Sequence, residues 1–267
     1  MVRAKYPAAW TYHRTTSRWP HNMHGLNDPT YETAPFKEYL RSRTVALPEP
    51  ATPAATLAEV LAARQSSRRF TGEALPLAAL STVLRAGYGV IGSVDLGSEF
   101  LERPVPSGGG LYPLELYVLA QAVDGLDGGV YHYAPLGHLL EVVHDHPLPS
   151  LLTSELFLGQ PYLAHAGALV VVTAVLERSL WKYEDRGYRY VLLEAGHVAQ
   201  NMSLVAAALG LGCLNLGGFF DADVAALLRV DPDEEPPLYG FAVGATDEPD
   251  RALRRTPPGP DGAFRRF

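Results

Sequence analysis

The sequence has a single cysteine, Cys213, among 267 residues. One thiol excludes an internal disulfide and any cysteine-rich metal site. Long hydrophobic runs are missing as well. The most apolar stretch, Ala166–Leu176, falls short of the ~20 residues that cross a bilayer. The first residues, MVRAKYPAAWTYHR, lack the apolar core of a secretory signal, so the expectation is a cytoplasmic protein without membrane contact. A basic excess is also lacking: the net charge is −7, which argues against nucleic acid as a general partner. There is no internal repeat or low-complexity tract. Neither a GxxxxGK[ST] phosphate loop nor a GxGxxG fingerprint occurs. The pairs His21/His24 and His144/His146 have metal-like spacing but no fixed third ligand, so no metal is expected. What is present, 47% apolar and 19% charged residues, is the composition of a globular chain of one large or two small domains.

The charge is unevenly spread. Residues 1–50 carry seven Lys/Arg against four Asp/Glu, and residues 51–267 carry 15 against 25. The basic segment also holds Trp10, Tyr12, Trp19, Tyr31, Phe36 and Tyr39, an aromatic content that disordered tails lack. Residues 1–50 therefore read as an arm packed along the main domain or along a partner subunit, and residues 51–267 as that domain.

Within the domain, Thr56 and Glu59 form a capping box that opens a helix. Pro76 opens a second helix, with Gly87 as its stop. Residues 90–112 read as glycine-rich and irregular. Alternating or continuous apolar runs predict strands over 115–120, 130–133, 139–143 and 169–175, then to Leu216 and over 238–243. Helices are predicted over 150–158 and 221–228, the latter capped by Asp221. Tyr188–Gly210 has the longest helical periodicity, with an apolar surface that includes Val191, Leu192, Ala195, Val198 and Met202. The pattern lacks regular βαβ alternation. It predicts an α+β fold, a mixed or antiparallel sheet flanked by helices around that long central helix.

Four segments carry chemistry. Arg64–Phe70, RQSSRRF, has guanidiniums and hydroxyls that can surround a phosphate, or else is a solvated helix end. Pro106–Pro113, PSGGGLYP, lets backbone approach a flat ligand closely, or is a tight turn. Gly210–Asp221, GLGCLNLGGFFD, can present free backbone N–H groups to carbonyls or a ring nitrogen, or is a turn before a helix. Trp181–Tyr190, WKYEDRGYRY, offers Lys182 and Tyr183 for proton transfer, or is a polar helix start that pairs Lys182 with Glu184 or Asp185. Adjacent helical positions point Lys182 and Tyr183 in different directions, and a nearby cation such as Arg186 can lower either pKa. His197 and Cys213 read as core residues.

Taken in this order along the chain, these segments resemble the nitroreductase superfamily of FMN-dependent enzymes, and among them the SagB-type dehydrogenases. VYHYAPLGHLLEVV, KYEDRGYRYVLLEAGHVAQN and the TYHRTT start carry the closer likeness. The resemblance implies FMN, with phosphate and ribityl contacts on Arg64, Gln65, Ser66 and Arg68 and a late phosphate contact on Arg255. It puts a second strip of flavin contacts, often given by the other subunit, on Pro106, Ser107, Gly108 and Leu111. The backbone of Gly217 and Gly218 would face the flavin ring. Gly217 stands where some relatives keep an acidic residue, which leaves the site more open. Lys182 and Tyr183 match the pair tied to azoline oxidation.

The implied activity is FMN-dependent oxidation of thiazoline or oxazoline rings to azoles in a peptide or carrier-bound substrate. The implied assembly is a homodimer with a cyclodehydratase or synthetase partner. An NAD(P)H-dependent nitro or quinone reductase on the same fold, and a flavin-less scaffold that binds a peptide or partner, are the alternatives. A requirement for NADPH marks the first alternative, and a protein that stays colourless with FMN marks the second.

Overall fold

Residues 2–18, 34–95 and 99–247 are described by the computed structural model. The strands are β1 (Thr44–Ala46), β2 (Gly92–Asp95), β3 (Glu99–Glu102), β4 (Leu114–Ala120), β5 (Gly129–Ala134), β6 (Leu139–His144), β7 (Ala168–Ala174), β8 (Gly212–Leu216) and β9 (Pro237–Gly244). Seven of them form one sheet in the order β1-β6-β5-β4-β7-β9-β8. Every neighbouring pair in it is antiparallel. The helices are α1 (Val2–Lys5), α2 (Pro7–Thr15), α3 (Leu57–Ala63), α4 (Leu77–Tyr88), α5 (Ser150–Leu156), α6 (Glu177–Tyr183), α7 (Asp185–Ala208) and α8 (Asp221–Leu228). The fold is α+β, an antiparallel sheet flanked by helices.

Burial explains the sequence pattern of the strands. β4 and β7 are buried along their whole length, so they are nearly continuous apolar runs. Alternate side chains still go to opposite faces. Leu116 and Val118 join the core formed with Leu80 and Leu84 of α4 and Val191, Val198 and Met202 of α7. Tyr117 and Leu119 join the second core, with Leu156 of α5 and Val224 and Leu228 of α8. Burying each such leucine or valine stabilises the fold by about 1.5–3 kcal/mol.

Helix boundaries follow from local chemistry. Thr56 and Glu59 make the capping box: the Glu59 N–H donates to Thr56 Oγ1 and the Thr56 N–H donates to Glu59 Oε2 at 2.8 Å. Gly87 does not stop α4, which runs on to Tyr88. A Cβ at Gly87 would lie 2.8 Å from Met202 Cγ, so glycine here lets α4 and α7 approach. Phe220, not Asp221, is the N-cap of α8, and Asp221 is in the first turn, where its charge suits the helix dipole. Residues 90–112 are only partly irregular, because β2 and β3 pair within them.

Two stretches of the first 50 residues pack on the rest of the chain. Next to α2, the Thr16 carbonyl accepts from Arg186 Nη1 at 2.9 Å, and Tyr12 packs edge-to-face on Tyr188. Residues 34–46 run along the sheet, where β1 pairs with β6. Beneath them lies a buried ionic network. His132 binds Glu115 at 2.9 Å and Glu141 at 2.7 Å, and Arg178 pairs with Glu115 at 2.7 Å. Lys37 reaches Glu235 at 2.5 Å.

Candidate functional site

The stretch after α3 is fastened to the start of β8. Ser66 bridges Cys213, and the Ser67 N–H donates to the Cys213 carbonyl at 2.8 Å. The Ser67 hydroxyl bonds Thr246 Oγ1 at 2.8 Å. Arg69 is committed to Asp247 through two bonds of 2.9 and 2.8 Å. Arg68 and Ser66 are exposed, and Arg64 and Gln65 half-buried. Gly217 and Gly218 follow the other end of β8. That five-residue strand spans about 17 Å at ~3.4 Å per residue. Between the ends, the buried Asn215 Oδ1 has no hydrogen-bond partner among the described residues, although its Nδ2 donates to Ser203 Oγ at 3.3 Å. Arg255 lies outside the described residues.

This donor set suits an elongated cofactor that carries a phosphate. Guanidinium forks and a serine hydroxyl match phosphate oxygens. The unpartnered Asn215 oxygen can accept from a hydroxyl or a ring N–H. Gly217 is exposed, and a Cβ there would meet only Tyr239, at 3.7 Å, so a flat ring can approach its backbone.

Pro106–Tyr112 forms a second cluster with α6 and α7. Gly109 and Gly110 both have positive φ, 68° and 67°, as the turn requires. A Cβ at Gly108 would lie 3.3 Å from Tyr190. One at Gly109 would lie 2.5 Å from the Tyr183 hydroxyl and 3.0 Å from Lys182 Nζ. The two polar tips therefore converge on one point instead of diverging as adjacent helical residues would. The cause is the end of α6: Tyr183 is its last residue, and Glu184 turns the backbone with φ 50° and ψ −147°. Glu184 pairs with Arg18 at 2.8 Å, so the expected Lys182–Glu184 pair is replaced. Arg186 lies over the Tyr190 ring. The Tyr183 phenol is pushed up, not down, first by partial burial and then by Tyr190.

The residue that sequence reasoning missed is Glu194. It is 2% exposed on the inner face of α7. Its carboxyl is pushed up to about 7 by burial, while hydrogen bonds from Ser107 and Tyr88 and the charge of Arg103 pull the other way. A usable signal was present: Glu194 falls on the helical stripe Val191–Glu194–Ala195–Val198, where a charge is costly unless partnered. His197, read as a core histidine, is on the exposed side of α7. Cys213 is buried, as expected. His144 is held by its bond to the Leu227 carbonyl at 3.3 Å. No helix of the described residues is long and apolar enough to cross a membrane.

The sequence profile of the nitroreductase family matches residues 61–245. The chain belongs to the nitroreductase family. A nitroreductase relative from Methanocaldococcus jannaschii is 38% identical over 188 residues, covering 70% of this chain and 90% of the relative. The microcin B17-processing protein McbC of Escherichia coli is 34% identical over 207 residues, 71% of this chain and 73% of McbC. Among solved structures, the E. coli microcin synthetase McbBCD complex with truncated pro-MccB17 bound superposes with a TM-score of 0.60 at 25% identity. It covers 91% of this chain and 93% of that one. These relatives support placing this nitroreductase-family chain among the SagB-type members. Family and relatives together support a flavin-type oxidoreductase role.

Proposed function

We propose that the protein is an FMN-dependent oxidase or dehydrogenase that converts thiazoline or oxazoline rings in a peptide to azoles. The observation that carries this reading is the convergence of Lys182 Nζ and Tyr183 OH on Gly109 of the PSGGG turn. Aromatising such a ring removes a hydride from one ring carbon and a proton from its neighbour. Bound flavin supplies a two-electron acceptor for the hydride. In this reading Arg64, Gln65, Ser66, Arg68 and Arg255 hold the phosphate and ribityl chain, and Gly217 and Gly218 border the ring. Pro106, Ser107, Gly108 and Leu111 give the second strip of contacts, across the interface of a homodimer in the cytoplasm. The likeness to McbC and to the McbBCD complex supports a peptide substrate and a cyclodehydratase or synthetase partner.

Lys182 and Tyr183 then handle the proton. Partial burial raises the Tyr183 phenol further, so it stays protonated and donates a hydrogen bond, while the Lys182 amine accepts the proton that leaves the ring carbon. The test is Lys182→Ala and Tyr183→Phe, each measured for flavin content and for azole formation on an azoline peptide. Both variants are expected to stay yellow while turnover falls by roughly 10²–10⁴-fold, the range for a lost acid–base group. Near-normal turnover in both, or turnover of quinones with NADPH and none of azolines, overturns the reading.

A further inference from the structure

Two hydroxyl groups from separate elements donate to the carboxylate of Glu194. The Ser107 hydroxyl donates to Oε2 at 2.5 Å, and the Tyr88 hydroxyl donates to Oε1 at 2.6 Å. Each donor also accepts a backbone N–H. Ser107 Oγ accepts from Tyr112 at 2.9 Å, and the Tyr88 oxygen accepts from Leu114 at 3.1 Å. One carboxylate thus ties down both ends of the segment 107–114. Tyr112, with a positive φ of 45°, is a strained residue that needs such support.

We propose that Glu194 is a positioning residue that shapes the Pro106–Tyr112 turn and so sets Gly108 and Gly109 against Tyr190, Tyr183 and Lys182. The inference rests on the reading of that turn as part of the flavin site. Protonation would turn one of the two acceptor oxygens into a donor, and one hydroxyl would lose its charge-assisted partner. The groups that face the carboxylate are Tyr88 from α4, Ser107 from the turn, and Arg103 just after β3. Arg103 stacks on the Tyr88 ring at 4.1 Å and donates to the Tyr88 carbonyl at 3.0 Å. Among these, Tyr88 is pushed well above the usual range by burial. Burial brings Glu194 itself to about 7, so the clamp loosens in acid and tightens in mild alkali.

Hydrogen exchange of the 107–114 amides in the flavin-loaded protein reads this positioning directly, after correction for the intrinsic pH dependence. FMN affinity by fluorescence reads its consequence. In the parent, protection of this segment is expected to fall about tenfold between pH 8 and pH 6. In Glu194→Gln it is expected to be low and equal at both. FMN should bind the variant about tenfold more weakly than the parent at pH 8. Ser107→Ala provides a second test: with that donor gone, the pH dependence at the Tyr112 amide should vanish while α7 stays protected. Parent-like protection and the same pH dependence in both variants overturn the proposal. Loss of protection with unchanged FMN affinity upholds the clamp and removes the turn from the flavin site.

Discussion

Glu194 stores unfavourable free energy at a place where the chain needs a defined turn. In the folded state its carboxyl titrates at about 7, against an ordinary value near 4.5. Between those pH values the folded chain keeps a proton that the unfolded chain has released. Stability from this group is therefore lost as the pH rises from about 4.5 to 7, by about 3 kcal/mol in all. Glutamine does not titrate, so Glu194→Gln removes this slope. Chemical denaturation of parent and variant at pH 5 and pH 8 checks it. The variant should gain on the parent by about 3 kcal/mol from the lower to the higher pH. An equal difference at both values would show that Glu194 titrates normally. The sequence contained the carboxylate on an apolar stripe, but not its partners. Tyr88 and Ser107 are 106 and 87 residues away in sequence, and only the packing of α4 on α7 and the shape of the turn bring them together.

At the scale of elements, the sequence predicted β4 to β9 and helices α3, α4, α5, α7 and α8 well, because each packs part of its surface into the core; α2, with no buried residue, went unpredicted. β1 has three residues, too few for a period, and forms because β6 offers it an edge. The buried ions were invisible for a different reason. Glu115, His132 and Glu141 come from three strands, and strand register alone brings them together: His132 lies opposite Tyr117 on β4 and opposite Glu141 on β6. Both ring nitrogens of His132 meet carboxylate oxygens. A neutral imidazole has one N–H, so the imidazolium satisfies both. Burial opposes that charge, but the two glutamates outweigh it and raise the pKa. The resulting stability is present below the unfolded value near 6.5 and is lost as the pH rises through the raised folded value. Arg178 completes the network: its Nη1 binds Glu115 at 2.7 Å, and its Nε donates to the Ala34 carbonyl at 2.8 Å. Arg178→Met leaves a buried carboxylate short of a cation and should cost about 3–5 kcal/mol. Urea denaturation at pH 7 measures the loss, and trypsin cleavage after Lys37 should quicken as residues 34–39 loosen. Unchanged stability and cleavage would show that this network does not fasten residues 34–39 to the sheet.

At the scale of the whole molecule, α7 presents apolar side chains that the single chain leaves uncovered. Its inner face is buried against α4 and the sheet, but Leu192 and Leu193 on its outer face are 40% and 56% exposed. The sequence counted Leu192 within a single apolar surface, because periodicity marks which residues avoid water without saying what covers them. Gly196, one turn on, has nothing within 4 Å of where a Cβ would be. Two exposed leucines beside a glycine give another helix a flat apolar contact, and a two-fold axis is the simplest way for a second copy to supply it. The homodimer proposed above would cover this face, and that proposal has the flavin site shared between the subunits. Light scattering should give twice the chain mass of 28.9 kDa for the parent. Leu193→Glu puts a charge into that contact and faces solvent in the single chain, so folding should survive. The variant is expected to run at 28.9 kDa with a parent-like circular dichroism spectrum. Its flavin should wash out on gel filtration, because the Pro106–Leu111 contacts would leave with the partner. A monomeric parent that retains FMN would put both sets of contacts within one chain, and a dimeric Leu193→Glu variant would move the interface away from α7.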